Sequence, residues 1–135
     1  MCIHDTILLY ALLNKALTKQ GYMPEQRDLF PGALEMMILQ TLKLKPLHGY
    51  ALVQHIKQSS DDLLQVEEGS LYPALQRMLK AKWVKAAWGV SSTGRRVRIY
   101  QLTGQGRKHV QREVSSFERM LEGISRVMAP SRLKG

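Results

Sequence analysis

Apolar residues recur every three or four positions along much of the chain, which is the period of an α-helix. The pattern predicts helices over residues 3–19, 32–44, 48–60 and 70–81, and a long final helix after Thr103. Ser70 is a good N-cap for the fourth helix. Pro73 is tolerated in a first turn, because the backbone N–H groups there have no partner within the helix.

Two β-rich stretches lie between the fourth helix and the final one. Residues 83–90 and 96–102 contain β-branched and aromatic residues, and a polar segment from Ser91 to Gly94 joins them, which predicts a β-hairpin. Three helices followed by a hairpin are typical of a winged helix-turn-helix. The sequence therefore predicts a mainly α fold with a small β-hairpin, completed by a long C-terminal helix.

The net charge of +9 is concentrated in one part of the chain. Residues 67–112 hold ten basic residues against two acidic ones, or +8, whereas residues 1–31 and 32–66 are each neutral. A localised basic segment favours a polyanionic partner, although a role in solubility alone would give the same count.

Cys2 is the single cysteine and permits no internal disulfide, and the apolar run over residues 7–13 is too short to span a membrane. We expect a cytoplasmic protein with no membrane partner.

The predicted helix over residues 70–81 has two contrasting faces. One side is apolar and is expected to face the core; it consists of Leu71, Leu75, Met78 and Leu79. The other side is polar, and its members are Ser70, Tyr72, Pro73, Gln76, Arg77 and Lys80. In a major groove Gln pairs with adenine and Arg with guanine, whereas Lys binds phosphate. We expect this polar face to bind DNA; an ordinary solvated helix surface is the alternative.

The hairpin carries arginines at its tip. Arg95 lies at the turn, and Arg96 and Arg98 share one face of the second strand. Such a basic wing lies along a phosphate backbone or enters a minor groove. A solvated edge strand is the alternative, because charged side chains also protect sheet edges from aggregation.

Trp83 and Trp88 on the first strand are expected to pack within the fold, with stacking on a planar ligand as the alternative.

The chain resembles the PadR family of bacterial winged-helix regulators in three segments, which read HGYALVQHI (residues 48–56), EEGSLYPALQRMLKAKWV (67–84) and GRRVRIYQLTGQGR (94–107). The resemblance covers residues 28–128. It implies a homodimeric regulator, usually a repressor, of the subgroup with a short C-terminal part. It also implies that residues 70–73 open the recognition helix with Tyr72 on DNA, that Arg95 and Arg96 are wing contacts, and that Tyr50 either faces DNA or belongs to the core.

Two residues depart from the family pattern. Lys82 stands where glycine is common, so a positive φ there would cost roughly 1 kcal/mol. Ile99 stands where a tyrosine is common. Residues 1–27 lie outside the resemblance and are either an added dimerisation helix or an overlong start before Met23.

The final helix carries apolar residues at alternating spacings of four and three, namely Val110, Val114, Phe117, Leu121, Ile124 and Met128. This is a heptad pattern and predicts a dimer seam, although a helix packed on its own domain shows the same stripe. The helix over residues 3–19 is a candidate to cover it. The expected organisation is an N-terminal helical extension and linker (1–27), a winged-helix DNA-binding domain (28–103), a C-terminal dimerisation helix (104–128) and a tail (129–135).

The sequence contains no catalytic constellation that we recognise. Its histidines lack the i, i+4 spacing of a zinc site, and G-x-G at residues 104–106 lacks the third glycine of a dinucleotide site. We therefore expect no enzyme activity, metal or cofactor. The expected function is that of a homodimeric repressor on a pseudo-palindromic operator in double-stranded DNA, with an unidentified small-molecule effector acting through the angle between the C-terminal helices. The alternative is a winged-helix module that binds protein or RNA.

Overall fold

The computed structural model describes residues 32–129, so the predicted helix over residues 3–19, the linker after it and residues 130–135 lie outside the described part. The elements are α1 (Ala33–Leu42), β1 (Leu47–His48), α2 (Gly49–Ser59), α3 (Glu68–Lys80), β2 (Val84–Val90), β3 (Arg96–Leu102) and α4 (Gly104–Met128). The described residues divide between two compact units, 32–111 and 112–129. The predicted mainly α winged-helix fold is confirmed.

The sheet has three antiparallel strands in the order β1-β3-β2, one more than the predicted hairpin. Strand β1 pairs Leu47 with Tyr100 and His48 with Ile99. With two residues it is too short to show an alternating pattern, and for this reason the sequence did not reveal it. His48 also caps α2, since its Nδ1 accepts a hydrogen bond from the Ala51 N–H at 3.4 Å.

The core of the 32–111 unit lies between the helices and the base of the hairpin. Its largest fully buried side chains come from four helices and are Ile38, Leu39, Leu52, Leu71, Leu75, Met78 and Val110. The predicted core face of α3 is thus largely confirmed. Leu79, however, is half-buried, and Ala74 is fully buried.

Helix α3 begins at Glu68, two residues before the start that Ser70 suggested, and its N-cap is Glu67. The Glu67 carbonyl accepts hydrogen bonds from the N–H groups of both Ser70 and Leu71 at 3.0 Å. The acidic side chain of Glu68 also favours this first turn through the helix dipole. Pro73 therefore lies inside the helix. Because proline has no backbone N–H, the Gly69 carbonyl lacks the hydrogen bond that it would otherwise accept from position 73.

The end of α3 is a Schellman motif in which lysine occupies the usual glycine position. The Trp83 N–H donates to the Met78 carbonyl at 3.0 Å, and the Lys82 N–H donates to the Leu79 carbonyl at 3.1 Å. Lys82 has a φ of 64°, in the left-handed region. The predicted strain at this position is therefore present.

Helix α4 is held against the base of the hairpin by close contacts. Thr103 caps it, since its hydroxyl accepts from the Gly106 N–H at 3.0 Å and donates to the Lys82 carbonyl at 2.7 Å. A Cβ on Gly106 would lie 2.0 Å from the Trp83 carbonyl oxygen, so only glycine permits this approach. The Trp83 indole stacks on His109 with 3.6 Å between ring centroids, which confirms packing as the role of Trp83.

Candidate nucleic-acid interface

The polar face of α3 is open to solvent in the single chain. Its exposed members are Tyr72, Pro73, Gln76, Arg77 and Lys80, and Ser70 is half-buried. The structure therefore brings all six predicted residues to one side of the helix. This side offers amide, guanidinium and ammonium donors of the kind that base edges and phosphates accept.

Arg77 forms an ion pair within this surface that the sequence did not reveal. Its Nε donates to Glu35 Oε1 at 3.0 Å, and its Nη2 donates to the same oxygen. Glu35 lies in the first turn of α1. The pair uses two of the five N–H donors of the guanidinium, so Arg77 remains able to donate to DNA while Glu35 holds it.

The hairpin tip is a tight turn that places the arginines. The Ser91 N–H donates to the Arg95 carbonyl at 2.8 Å, and Gly94 adopts a φ of 81°. All three predicted arginines, Arg95, Arg96 and Arg98, are exposed. Arg96 and Arg98 share the sheet face that, nearer the base, carries the buried residues Tyr100 and Leu102. Arg96 and Arg98 therefore lie on the same side of the sheet as the core residues, but at the outer end of the hairpin, which the helices do not cover.

Trp88 differs from the expected packing role, because its side chain is 61% exposed. It lies opposite Arg98 in the ladder, and the guanidinium carbon of Arg96 lies 4.4 Å from its ring centroid. This is the geometry of a cation–π contact. Trp88 and Arg96 are thus neighbours on the open face of the hairpin.

Tyr100 links the hairpin to the start of the polar face. Burial raises the pKa of its phenol, while the positive charge of Arg98 lowers it and Tyr72 raises it further. The polar face of α3 begins near this part of the sheet, because the Tyr72 ring lies beside Gly49 and the strand just before Gly49 pairs Leu47 with Tyr100.

The start of α2 packs beside Tyr72. A Cβ on Gly49 would lie 3.4 Å from the Tyr72 hydroxyl oxygen, which indicates ordinary contact between these backbone and ring atoms. The neighbouring Tyr50 is 66% exposed. Of the two alternatives for Tyr50, the core position is excluded.

The predicted dimer seam on α4 is only partly open in a single chain. Val110 is fully buried and Leu121 is 4% exposed, whereas Met128 is exposed. The other members of the seam, Val114, Phe117 and Ile124, are half-buried. Val110 is therefore a core residue of the 32–111 unit and has no surface left for a second chain.

Comparison with known proteins identifies the family. Residues 38–112 match the model of the transcriptional regulator PadR-like family. A PadR-like transcriptional regulator from Bacillus cereus is 27% identical and superimposes with a TM-score of 0.63, over 78% of this chain and 95% of that one. A transcriptional regulator from Clostridium thermocellum has the same fold, with 24% identity, a TM-score of 0.67 and coverage of 73% of this chain and 96% of that one.

The fold and the comparisons define a winged-helix, DNA-binding transcriptional regulator. The chain belongs to the PadR-like family. Among residues 32–129, no helix is long and apolar enough to cross a membrane. The same residues contain no group of three or more His, Cys, Asp or Glu side chains placed to hold a metal ion.

The sequence alone does not show two features of this surface, namely the partner of Arg77 and the exposure of Trp88. Glu35 is 42 positions from Arg77, and no local pattern connects them. Trp88 was assigned to strand packing, although pairing across the predicted hairpin would have placed it opposite Arg98. The alternation of a strand tells which residues share a face, but not where the covering helices end.

Proposed function

We propose that this protein is a homodimeric repressor that binds a pseudo-palindromic operator in double-stranded DNA. In each protomer α3 enters a major groove, and the hairpin serves as a wing on the adjacent backbone. The observation that carries this proposal is that the exposed polar face of α3 begins beside the sheet whose outer end carries the exposed arginines of the hairpin.

The polar face of α3 combines side chains suited to base recognition with side chains suited to backbone contact. Gln76 lies just before the last turn of the helix and Arg77 lies in it, and their side chains can form bidentate hydrogen bonds to adenine and guanine. Ser70, Tyr72 and Pro73 are near the N-terminal end, beside the neighbouring backbone, and Lys80 in the last turn binds phosphate. Gln76 and Arg77 are thus assigned to specificity, and the others to position and affinity.

The hairpin adds sequence-independent affinity. Arg95, Arg96 and Arg98 are exposed and belong to the segment that carries +8 of the total charge of +9. Neutralising phosphates releases condensed counterions, so binding should weaken steeply as salt rises. A protein that bound only proteins would not require this concentration of arginine beside a polar helix face.

The dimer is proposed to form through α4. Its exposed apolar side chains are Met120, Val127 and Met128, and the half-buried Phe117 and Ile124 complete a row at positions 117, 120, 124 and 127, with spacings of three and four. This row overlaps the seam expected from the sequence but leaves out its buried members, Val110 and Leu121. On a pseudo-palindrome the two α3 helices of such a dimer must lie about 34–36 Å apart to meet successive major-groove faces.

Regulation is proposed to act through the same helix. A small molecule that changes the angle between the two α4 helices would change the spacing of the α3 helices and so release the operator. Because its target is chromosomal DNA and its single cysteine forms no internal disulfide, we place the protein in the cytoplasm.

A gel-shift assay tests the proposal with a duplex from the region upstream of the protein's own gene, competed by unlabelled specific and random duplexes. We expect the specific duplex to compete at concentrations at which random DNA does not. A reporter under that upstream region should fall in expression when the protein is supplied. Equal competition by random DNA would refute operator recognition and favour the alternative of a general interaction module.

A further inference from the structure

The open face of the hairpin carries apolar groups that base recognition and phosphate binding do not explain. Trp88 is 61% exposed and Val90 is 70% exposed, and both lie on the same strand face as Arg96 and Arg98. Exposed aromatic and apolar side chains beside arginines are typical of surfaces that pack against a partner. The partner must offer both negative charge and apolar surface.

We propose that Trp88 and Arg96 act as one DNA-contacting unit, in which the indole holds the guanidinium in place and itself packs against deoxyribose at the edge of the minor groove. This inference rests on the proposed function and adds an aromatic contact to it. Minor grooves accept both components, since their negative potential attracts arginine and their sugar walls are apolar.

The contact geometry leaves Arg96 able to bind DNA. The guanidinium carbon lies over the Trp88 ring, 4.4 Å from its centroid. A guanidinium has five N–H donors that point in different directions, so a ring on one side of the cation leaves donors for DNA on the others. Trp88 thus fixes the direction of these donors, and less side-chain freedom is lost when they meet DNA.

The position of the pair also matches the rest of the interface. Arg96 and Arg98 share a face with Tyr100 and Leu102, which are buried in the core that the helices form with the sheet. Trp88 lies directly opposite Arg98. The pair is therefore on the side of the sheet that leads to α3, as a wing beside an occupied major groove requires.

The first test measures whether DNA covers Trp88. The chain has two tryptophans, so Trp83→Phe leaves Trp88 as the only one, and Trp88→Phe leaves Trp83 as the matched control. Each full-length variant is saturated with a fluorescein-labelled random duplex at low salt, and saturation is verified by the anisotropy of the label. We expect acrylamide quenching of Trp88 to lose most of its efficiency on DNA, and quenching of Trp83, stacked on His109, to change little.

The outcomes separate this proposal from the function on which it rests. Full saturation of the label without any protection of Trp88 would overturn the proposal and leave DNA binding intact. No rise in anisotropy with random DNA or with the upstream duplex would refute DNA binding itself, and the Trp88 contact with it.

The second test measures coupling between the two residues. Trp88→Ala should weaken binding to random and specific duplexes alike by about 3- to 30-fold, the range expected for a cation–π contact between exposed and desolvated conditions. The double variant with Arg96→Ala should lose less affinity than the sum of the two single losses, because the contact between the residues is removed only once, and Trp88→Phe should retain part of the affinity. Fully additive losses, or wild-type affinity for Trp88→Ala, would show that the residues do not act as a unit.

Discussion

Replacing Lys82 with glycine should stabilise the protein without adding any contact. Lys82 closes the Schellman motif at the end of α3 with a φ of 64°, a conformation in which its Cβ crowds the backbone. The left-handed conformation costs an ordinary residue about 1–2 kcal/mol. Glycine avoids this cost but loses roughly 0.5–1 kcal/mol through the greater freedom of its unfolded chain. The expected net gain for Lys82→Gly is therefore about 0.5–1 kcal/mol.

The assay is urea unfolding followed by circular dichroism at one fixed protein concentration, because a self-associating protein has a concentration-dependent stability. In a thermal unfolding experiment the same gain should raise Tm by roughly 2–5 °C. Lys82→Ala is the matched control, since it removes the same charge and side chain but keeps a Cβ at a positive φ. We expect no gain from alanine.

Equal gains from both variants would refute the argument from backbone strain. Relief of repulsion among the basic residues of this segment would then be the cause. A loss of stability in Lys82→Gly, with no loss in Lys82→Ala, would show that the left-handed backbone at position 82 does not strain the folded state.

Three further changes test the packing, the surface and the dimer. Gly106→Ala should destabilise the fold by about 1–3 kcal/mol in thermal unfolding, because its Cβ would meet the Trp83 carbonyl oxygen at 2.0 Å. Gly104→Ala is the control and should be nearly neutral, because a Cβ there would have no atom within 4 Å. Glu35→Gln should raise affinity for random duplex about two- to fivefold at low salt, since it removes a negative charge beside Arg77; weaker binding would mean instead that Glu35 positions Arg77 on DNA. Val127→Glu should halve the mass measured by light scattering with little change in helix content, and an unchanged dimer would exclude the exposed row on α4 as the interface.

Much of this architecture follows from local patterns in the sequence. The two faces of α3 are visible because Leu71, Leu75 and Met78 recur at helical spacing, and the hairpin is visible because two β-rich runs flank a polar turn. The start of α4 directly after Thr103 was predicted, and the Thr103 hydroxyl caps the helix by accepting from the Gly106 N–H. In each case the determining interactions lie within one turn or one hairpin.

The features that escaped prediction depend on distant or competing contacts. The cap propensity of Ser70 was outweighed, because a start at Glu68 lets the Glu67 carbonyl bind two N–H groups. The glycine at position 106 is explained only by the approach of α4 to Trp83. The heptad on α4 shows which residues are apolar, but not that Val110 is already covered by its own chain.

Sequence selection tests the central claim most directly. Wild-type protein, Gln76→Ala and Lys80→Ala are each used to select duplexes from a random library at physiological salt, and the enriched sequences and affinities are compared. We predict that wild type enriches a pseudo-palindrome with half-sites about 10 bp apart, that Gln76→Ala loses the preference at one position of each half-site, and that Lys80→Ala keeps the preference but binds every duplex more weakly. Enrichment of no sequence by wild type, or identical selection and affinity for all three proteins, would contradict the assignment of α3 as the helix that recognises DNA.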